Sequence, residues 1–233
     1  MAEMICAEGF ESYQDLIDTL SKAFLARYPD GTSGRLRMIG ILFARPDSQL
    51  AKSSILPHLD YFHHRSGNNF DFFCAGYQID PELGAKVGNK TGFILDGEQM
   101  TFSSRGFNVI REELEYKTTW EYSGGVDLIL TNARYDTDGS EAVIDYYSAI
   151  VCKRDEMLAL NTISSIERFF EDICRYSENS TGDDPTWEFS DHSAAKVSGS
   201  AFKRFVLSLL PKDLGTEVKR MMQFAVKDIA IVT

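Results

Sequence analysis

Apolar residues along this chain change their spacing several times, and each change marks an element. Between about 12 and 28, Tyr13, Leu16, Ile17, Leu20, Phe24 and Leu25 recur at helical spacing, and Ser12 with Asp15 is placed to form a capping box. Pro29-Asp30-Gly31 ends that helix with turn chemistry. The run from Leu36 to Ala44 is apolar on both faces and of strand length, which predicts a strand buried inside a sheet. A helical pattern from about 48 to 65 follows, with Leu50, Ile55, Leu59 and Phe62 near one face. A second apolar strand is expected through Phe70, Phe72, Phe73, Ala75 and Tyr77. Strand, crossover helix, strand is a βαβ unit.

The second half reads in the same way. A polar loop covers 81–90, and a hairpin spans 91–102 around Asp96-Gly97, a dipeptide that accepts positive φ. A helix is expected over 109–120, a strand over 126–133, and a partner strand rich in β-branched and aromatic residues over 142–152. The loop between those strands, with Asp136, Asp138 and Gly139, has the start of a calcium loop but places Tyr147 where the bidentate Glu belongs; a hairpin turn accounts for it. The helix over 161–176 shows Ile163, Ile166, Phe169, Phe170 and Ile173 on one side. Composition then shifts. Residues 177–200 are acidic, with no Lys or Arg between Arg175 and Lys196, and read as a surface loop or linker. Two helices close the chain, over 201–210 and 213–227. Leu214, Val218, Met221, Met222, Ala225 and Ile229 form an apolar stripe associated with the second. The organisation implied is an α/β core over 1–176, a linker over 177–200 and a helical extension over 201–233.

This order of strand, helix, strand, helix, hairpin, helix, with Pro57 inside the crossover helix, resembles the thioredoxin-like fold. The resemblance implies a mixed sheet made of a βαβ unit followed by an antiparallel β-hairpin. Counting back from Pro57 puts Gln49 and Lys52 where that family carries its two cysteines, and Ser123-Gly124-Gly125 stands where it has a proline before the third strand. Neither Gln49 nor Lys52 supports thiol chemistry, so the resemblance implies a scaffold without redox activity.

Charge narrows the partners. A formal net charge of -11 argues against a nucleic-acid backbone, which needs clustered Lys and Arg. No apolar run approaches the roughly 18 residues of a membrane-spanning helix, and the first residues lack a basic, then apolar, leader. Cys6, Cys74, Cys152 and Cys174 are far apart, which fits free thiols in a reducing cytoplasm and not a zinc site. No phosphate-binding, dinucleotide, nucleophile-elbow or zinc-protease motif occurs, and no cofactor is expected.

Two function classes remain. The first is a non-catalytic protein that binds a protein partner or itself, through Trp187 of the acidic stretch and through Leu214, Val218, Met221, Met222 and Ile229. The second is a metal-dependent hydrolase or nuclease-like enzyme built on 58–64. There Asp60, His63 and His64 are candidate catalytic residues, because Asp60 and His64 share a helix face at i,i+4.

Overall fold

The computed structural model describes residues 12–27, 36–66, 70–79, 92–95, 97–136, 141–179, 184–193, 220 and 223–230. The run expected as a buried strand is β1, Arg37–Ala44, and seven of its eight residues are buried. It leads through 45–48 into the crossover helix. The Ser48 hydroxyl accepts from Ala51 N at 3.4 Å and the Ser48 carbonyl accepts from Lys52 N at 3.0 Å. Regular helix geometry fails at Pro57. A wide π turn, Ala51–Ile55, gives way to a 3₁₀ turn, Leu56–His58, and only then to α-helix, Leu59–Ser66. Proline has no N–H for the carbonyl one turn back, so the backbone opens before it and tightens at it. With α1 over Tyr13–Arg27, the α-helical end of this crossover is α2.

β2, Asp71–Cys74, returns parallel to β1, with Ile39 opposite Asp71 and Leu42 opposite Cys74. The expected continuation of this strand to Tyr77 does not occur. The chain turns at 75–76, with Gly76 at φ 80°, and β3, Tyr77–Ile79, leaves for a second sheet. The expected hairpin, β4 (Gly92–Leu95) and β5 (Glu98–Phe102), joins it in the antiparallel order β3-β5-β4.

α3, Ser104–Lys117, starts earlier than the 109 expected, because Ser103 caps it by accepting from Gly106 N at 3.1 Å. β6 (Val126–Asp136) and β7 (Glu141–Lys153) are antiparallel, and they complete a four-stranded mixed sheet in the order β2-β1-β6-β7. α4 (Arg154–Ala159) and α5 (Ile166–Asn179) follow.

Alternation along β1 sorts the core into two layers. Met38 and Leu42 face the crossover helix and α5, where Phe62 stacks on Phe170 with centroids 4.4 Å apart. Ile39, Ile41 and Phe43 face α1 and α3 with Leu20, Phe107 and Leu114. Both faces of the sheet are therefore dry, which is why its strands read as continuous apolar runs.

Two expectations about the C-terminal part differ from the structure. Within 177–200, α5 runs on to Asn179 and residues 185–193 are helical, with Phe189 fully buried. Phe189 packs edge-on against Phe169, which anchors part of the expected linker to α5. The helix expected over 213–227 lies mostly outside the described residues. Among those described, residue 220 is helical, as expected, whereas 223–230 turn and then run extended, and Ile229 is buried in the α1–α3 layer of this same chain. No helix among the described residues is long and apolar enough to cross a membrane.

Candidate functional site: a protein-interaction surface

β7 departs from regular pairing at one place. Thr131 pairs with Ala149, yet the next residue of β6, Asn132, pairs with Asp145, so 146–148 loop out of the ladder. The Thr131 hydroxyl lies against the carbonyls of Asp145 and of Ser148, the latter at 3.2 Å. The C-terminal segment closes on the same place. Lys227 and Ala149 exchange main-chain hydrogen bonds at 2.7 and 3.0 Å, and Ile229 N donates to Tyr146 O at 3.0 Å. Tyr146 points inward and shares a hydrogen bond with the Tyr13 hydroxyl at 3.0 Å. Alternation along β7, inward at Ala142, Ile144 and Tyr146, leaves Tyr147 pointing outward, where it is 63% exposed.

Beside the bulge sits a buried polar network. Asn132 is fully buried; its Nδ2 donates to Asp184 at 2.7 Å, and its Oδ1 accepts from Thr186 N at 3.2 Å and Thr186 Oγ1 at 2.7 Å. Asp184 also accepts from Trp187 N at 3.1 Å and from Ser148 Oγ at 3.4 Å. These contacts make Asp184 the N-cap of the 185–193 helix, with Pro185 in the first helical position, where a missing N–H costs nothing. The Tyr176 hydroxyl donates to Glu188 Oε2 at 2.9 Å and Ser190 Oγ donates to the Phe224 carbonyl, and the two bonds tie the helix down further along. One carboxylate thus fixes both the residue beside Tyr147 and the backbone of Trp187, whose side chain is 51% exposed. Two large aromatic side chains, Tyr147 and Trp187, are exposed on segments tied to Asp184. Rigid Trp and Tyr side chains of this kind are the residues that dominate protein–protein binding energy.

The other sequence-derived candidates fall elsewhere. Asp60 Oδ2 and His64 Nε2 are 3.8 Å apart on an exposed helix face, whereas His63 is buried, with its ring centroid 5.1 Å from that of His64. His58 lies beside Glu167 of α5, at 4.0 Å. The histidines are thus divided between surface and core, and among the described residues no group of three or more His, Cys, Asp or Glu is arranged to hold a metal ion. Leu214, Val218, Met221 and Met222 lie outside the described residues.

Gln49 and Lys52 are exposed in the first turns of the crossover helix. Ala44 pairs with Val126, so β1 ends beside the 123–125 turn that enters β6. The turn is held by carboxylates: Asp127 accepts from Ser123 N at 3.0 Å and from its hydroxyl, and Asp155 accepts from Val126 N at 3.0 Å. A side chain at Gly125 would meet Asp155 Oδ2 at 2.3 Å, so only glycine lets the carboxylate approach. Burial raises the Asp127 carboxyl above its ordinary value, and burial pushes the Tyr122 hydroxyl up to about 12. Burial also pushes the thiols of Cys152 and Cys174 up to about 11 and about 12, which keeps them protonated and unreactive at neutral pH.

Tyr147, Asn132 and the capping role of Asp184 were not singled out by sequence reasoning. Asp184-Pro185 is a helix-start signal that the acidic composition around it obscured. No protein-family model, curated protein or solved structure matches this chain.

Proposed function

We propose that this chain is a non-catalytic protein-interaction or assembly subunit, with a thioredoxin-like core as its scaffold and the Trp187–Tyr147 surface as its docking face. The observation that carries this reading is the shared anchorage on Asp184 of exposed Trp187 and of Ser148, the neighbour of exposed Tyr147, backed by the buried Asn132 amide. Exposing a Trp and a Tyr on a rigid backbone has no benefit for folding, since both leave apolar area in water. It does lower the entropy lost when a partner covers them.

The thioredoxin-like description of the core is supported by the order of its elements: β1, crossover helix and β2, then α3, the β6–β7 hairpin and α5. The change of helix type at Pro57 adds to that support. Cys74, Cys152 and Cys174 are buried and, among the described residues, outside any disulfide, which favours a reducing compartment and hence the cytoplasm. The alternative of a metal-dependent hydrolase or nuclease-like enzyme rests on the exposed Asp60–His64 pair alone.

The docking face is tested by replacing Trp187 and Tyr147 together with alanine. The variant should fold with unchanged circular dichroism, because neither side chain is buried. Species heavier than the 26.2 kDa chain, seen by sedimentation velocity of the wild type alone or with proteins that co-purify, should be lost. Retention of those species in the variant would remove the docking face from the account.

A further inference from the structure

Asp184 and Thr186 bring the start of the 185–193 helix onto the sheet at Asn132. Beyond Asn132 the same face continues with Arg134 on β6 and with Val143, Asp145 and Tyr147 on β7, since Asn132 pairs with Asp145 and Arg134 with Val143. Val143 is 39% and Tyr147 63% exposed, so among the described residues this end of the sheet face is uncovered. Its edge, in contrast, is taken. Ala142 N donates to Ser21 Oγ at 2.7 Å, and residues 227 and 229 bond Ala149 and Tyr146. A partner therefore reaches this place through side chains and not by adding a strand.

We infer that the occupant of this face is an arginine-bearing segment of a partner protein, whose cations lie on the Trp187 and Tyr147 rings. The inference rests on the docking face proposed above and names the chemistry of what docks there. Each exposed ring has a carboxylate on its own side: Asp191 stands one helical turn from Trp187, and Asp145 two residues from Tyr147 along β7. A guanidinium stacks on an aromatic face while its edge meets a carboxylate, and its apolar stem finds Val143. The rings are open to it. Among the described residues Arg45 lies over Phe107, Lys117 over Tyr13 and Arg154 over Phe169, and no cation lies over Trp187 or Tyr147. Asp136, Glu141 and Glu188 add to the negative field, against Arg134 at the far end of the face and Lys227 at the sheet edge. A chain of net charge -11 repels an acidic partner and steers a basic one toward such a face.

The probe is a fluorescein-labelled peptide of alternating arginine and glycine, with glutamate in place of arginine as its counterpart, titrated with the full chain and followed by anisotropy. The arginine peptide should bind saturably and more weakly as sodium chloride is added, and the glutamate peptide should not bind. Trp187→Ala should weaken binding about two- to fivefold, the worth of one exposed cation–π contact. The pair Asp145→Asn and Asp191→Asn should weaken it similarly, and Asn at 145 keeps the acceptor for Tyr147 N. The control pair Glu112→Gln and Glu113→Gln removes the same charge from α3 and should leave binding unchanged. Equal weakening by the control pair, no binding of the arginine peptide, or equal binding of the glutamate peptide overturns the inference. So do heavier species made of this chain alone that persist in high salt, which assign the face to a second copy. The docking face and its cationic partner fail separately. If the double alanine variant at 147 and 187 loses the heavier species while the arginine peptide does not bind, the face stands and the cationic partner is overturned.

Discussion

Replacing Gly76 with alanine tests the turn that divides the chain between its two sheets. Gly76 has φ 80°, and an alanine held in the left-handed region costs about 1–2 kcal/mol. The added Cβ would stand 2.6 Å from Phe107 Cβ and 2.9 Å from the Ser103 carbonyl oxygen. Relieving overpacking of that kind costs about 1–3 kcal/mol. Moving the turn away offers no escape, because the Gly76 carbonyl accepts from Ser103 N at 2.7 Å and Ser103 caps α3. The two terms give a loss of about 2–5 kcal/mol. Gly97 is the control: its φ is 83°, but nothing lies within 4 Å of an added Cβ, so Gly97→Ala meets the conformational term alone. Urea denaturation followed by circular dichroism gives both losses by linear extrapolation. Gly76→Ala should cost more than Gly97→Ala by about 1–3 kcal/mol. Equal losses, or a smaller one at Gly76, would refute the steric reasoning and with it the tight junction between β2, β3 and α3.

Other predictions follow from the buried polar groups and the sheet end. Asn132→Leu strips Asp184 and Thr186 of a partner and should lower stability by about 1–3 kcal/mol for each group left unpaired. Amide exchange at Trp187 should speed up with it, and unchanged exchange would count against the network. Asp127 has a folded pKa raised by burial above the ordinary 3.8, so the folded chain keeps this proton to higher pH than the unfolded chain. The stabilisation from that proton is complete below the ordinary value and is lost as pH rises through the folded value. Urea titrations at a series of pH values should therefore show wild type losing stability relative to Asp127→Asn from acid toward neutral, and a constant difference would contradict this. With Gln49 and Lys52 at the exposed helix start, the protein should leave insulin disulfides intact in a turbidity assay. Turnover above a protein-free control would overturn the non-redox reading.

How far the sequence announced this fold depended on whether local rules and tertiary demands agreed. β1, the crossover helix, the hairpin at Gly97 and α5 were legible because burial on a sheet or one helical face leaves a direct apolar period. β2 and β3 merged into one expected strand, since Phe72 to Tyr77 is apolar throughout and the break depends on one glycine whose φ only the packing of Phe107 and Ser103 reveals. α3 was expected late because its first turn, Ser104-Arg105-Gly106, is polar and its cap lies outside the apolar period. The docking surface was hidden for a different reason. Tyr146 and Tyr147 point to opposite faces as strand neighbours do, but the sequence does not show that the face carrying Tyr147 is left uncovered. Trp187 was singled out from its acidic surroundings, but the amide that fixes its helix comes from β6, far away in sequence.

Site-specific photo-crosslinking most directly tests whether this surface receives a protein. A benzophenone amino acid is placed singly at Tyr147, at Trp187 and, as a control, at Tyr116 of α3, which is 80% exposed. Irradiation in cells that produce the protein should yield discrete protein adducts from positions 147 and 187 and none of those adducts from 116. Equal adducts from 116, or none from 147 and 187, would contradict the proposal that the Trp187–Tyr147 face is where this protein meets its partner.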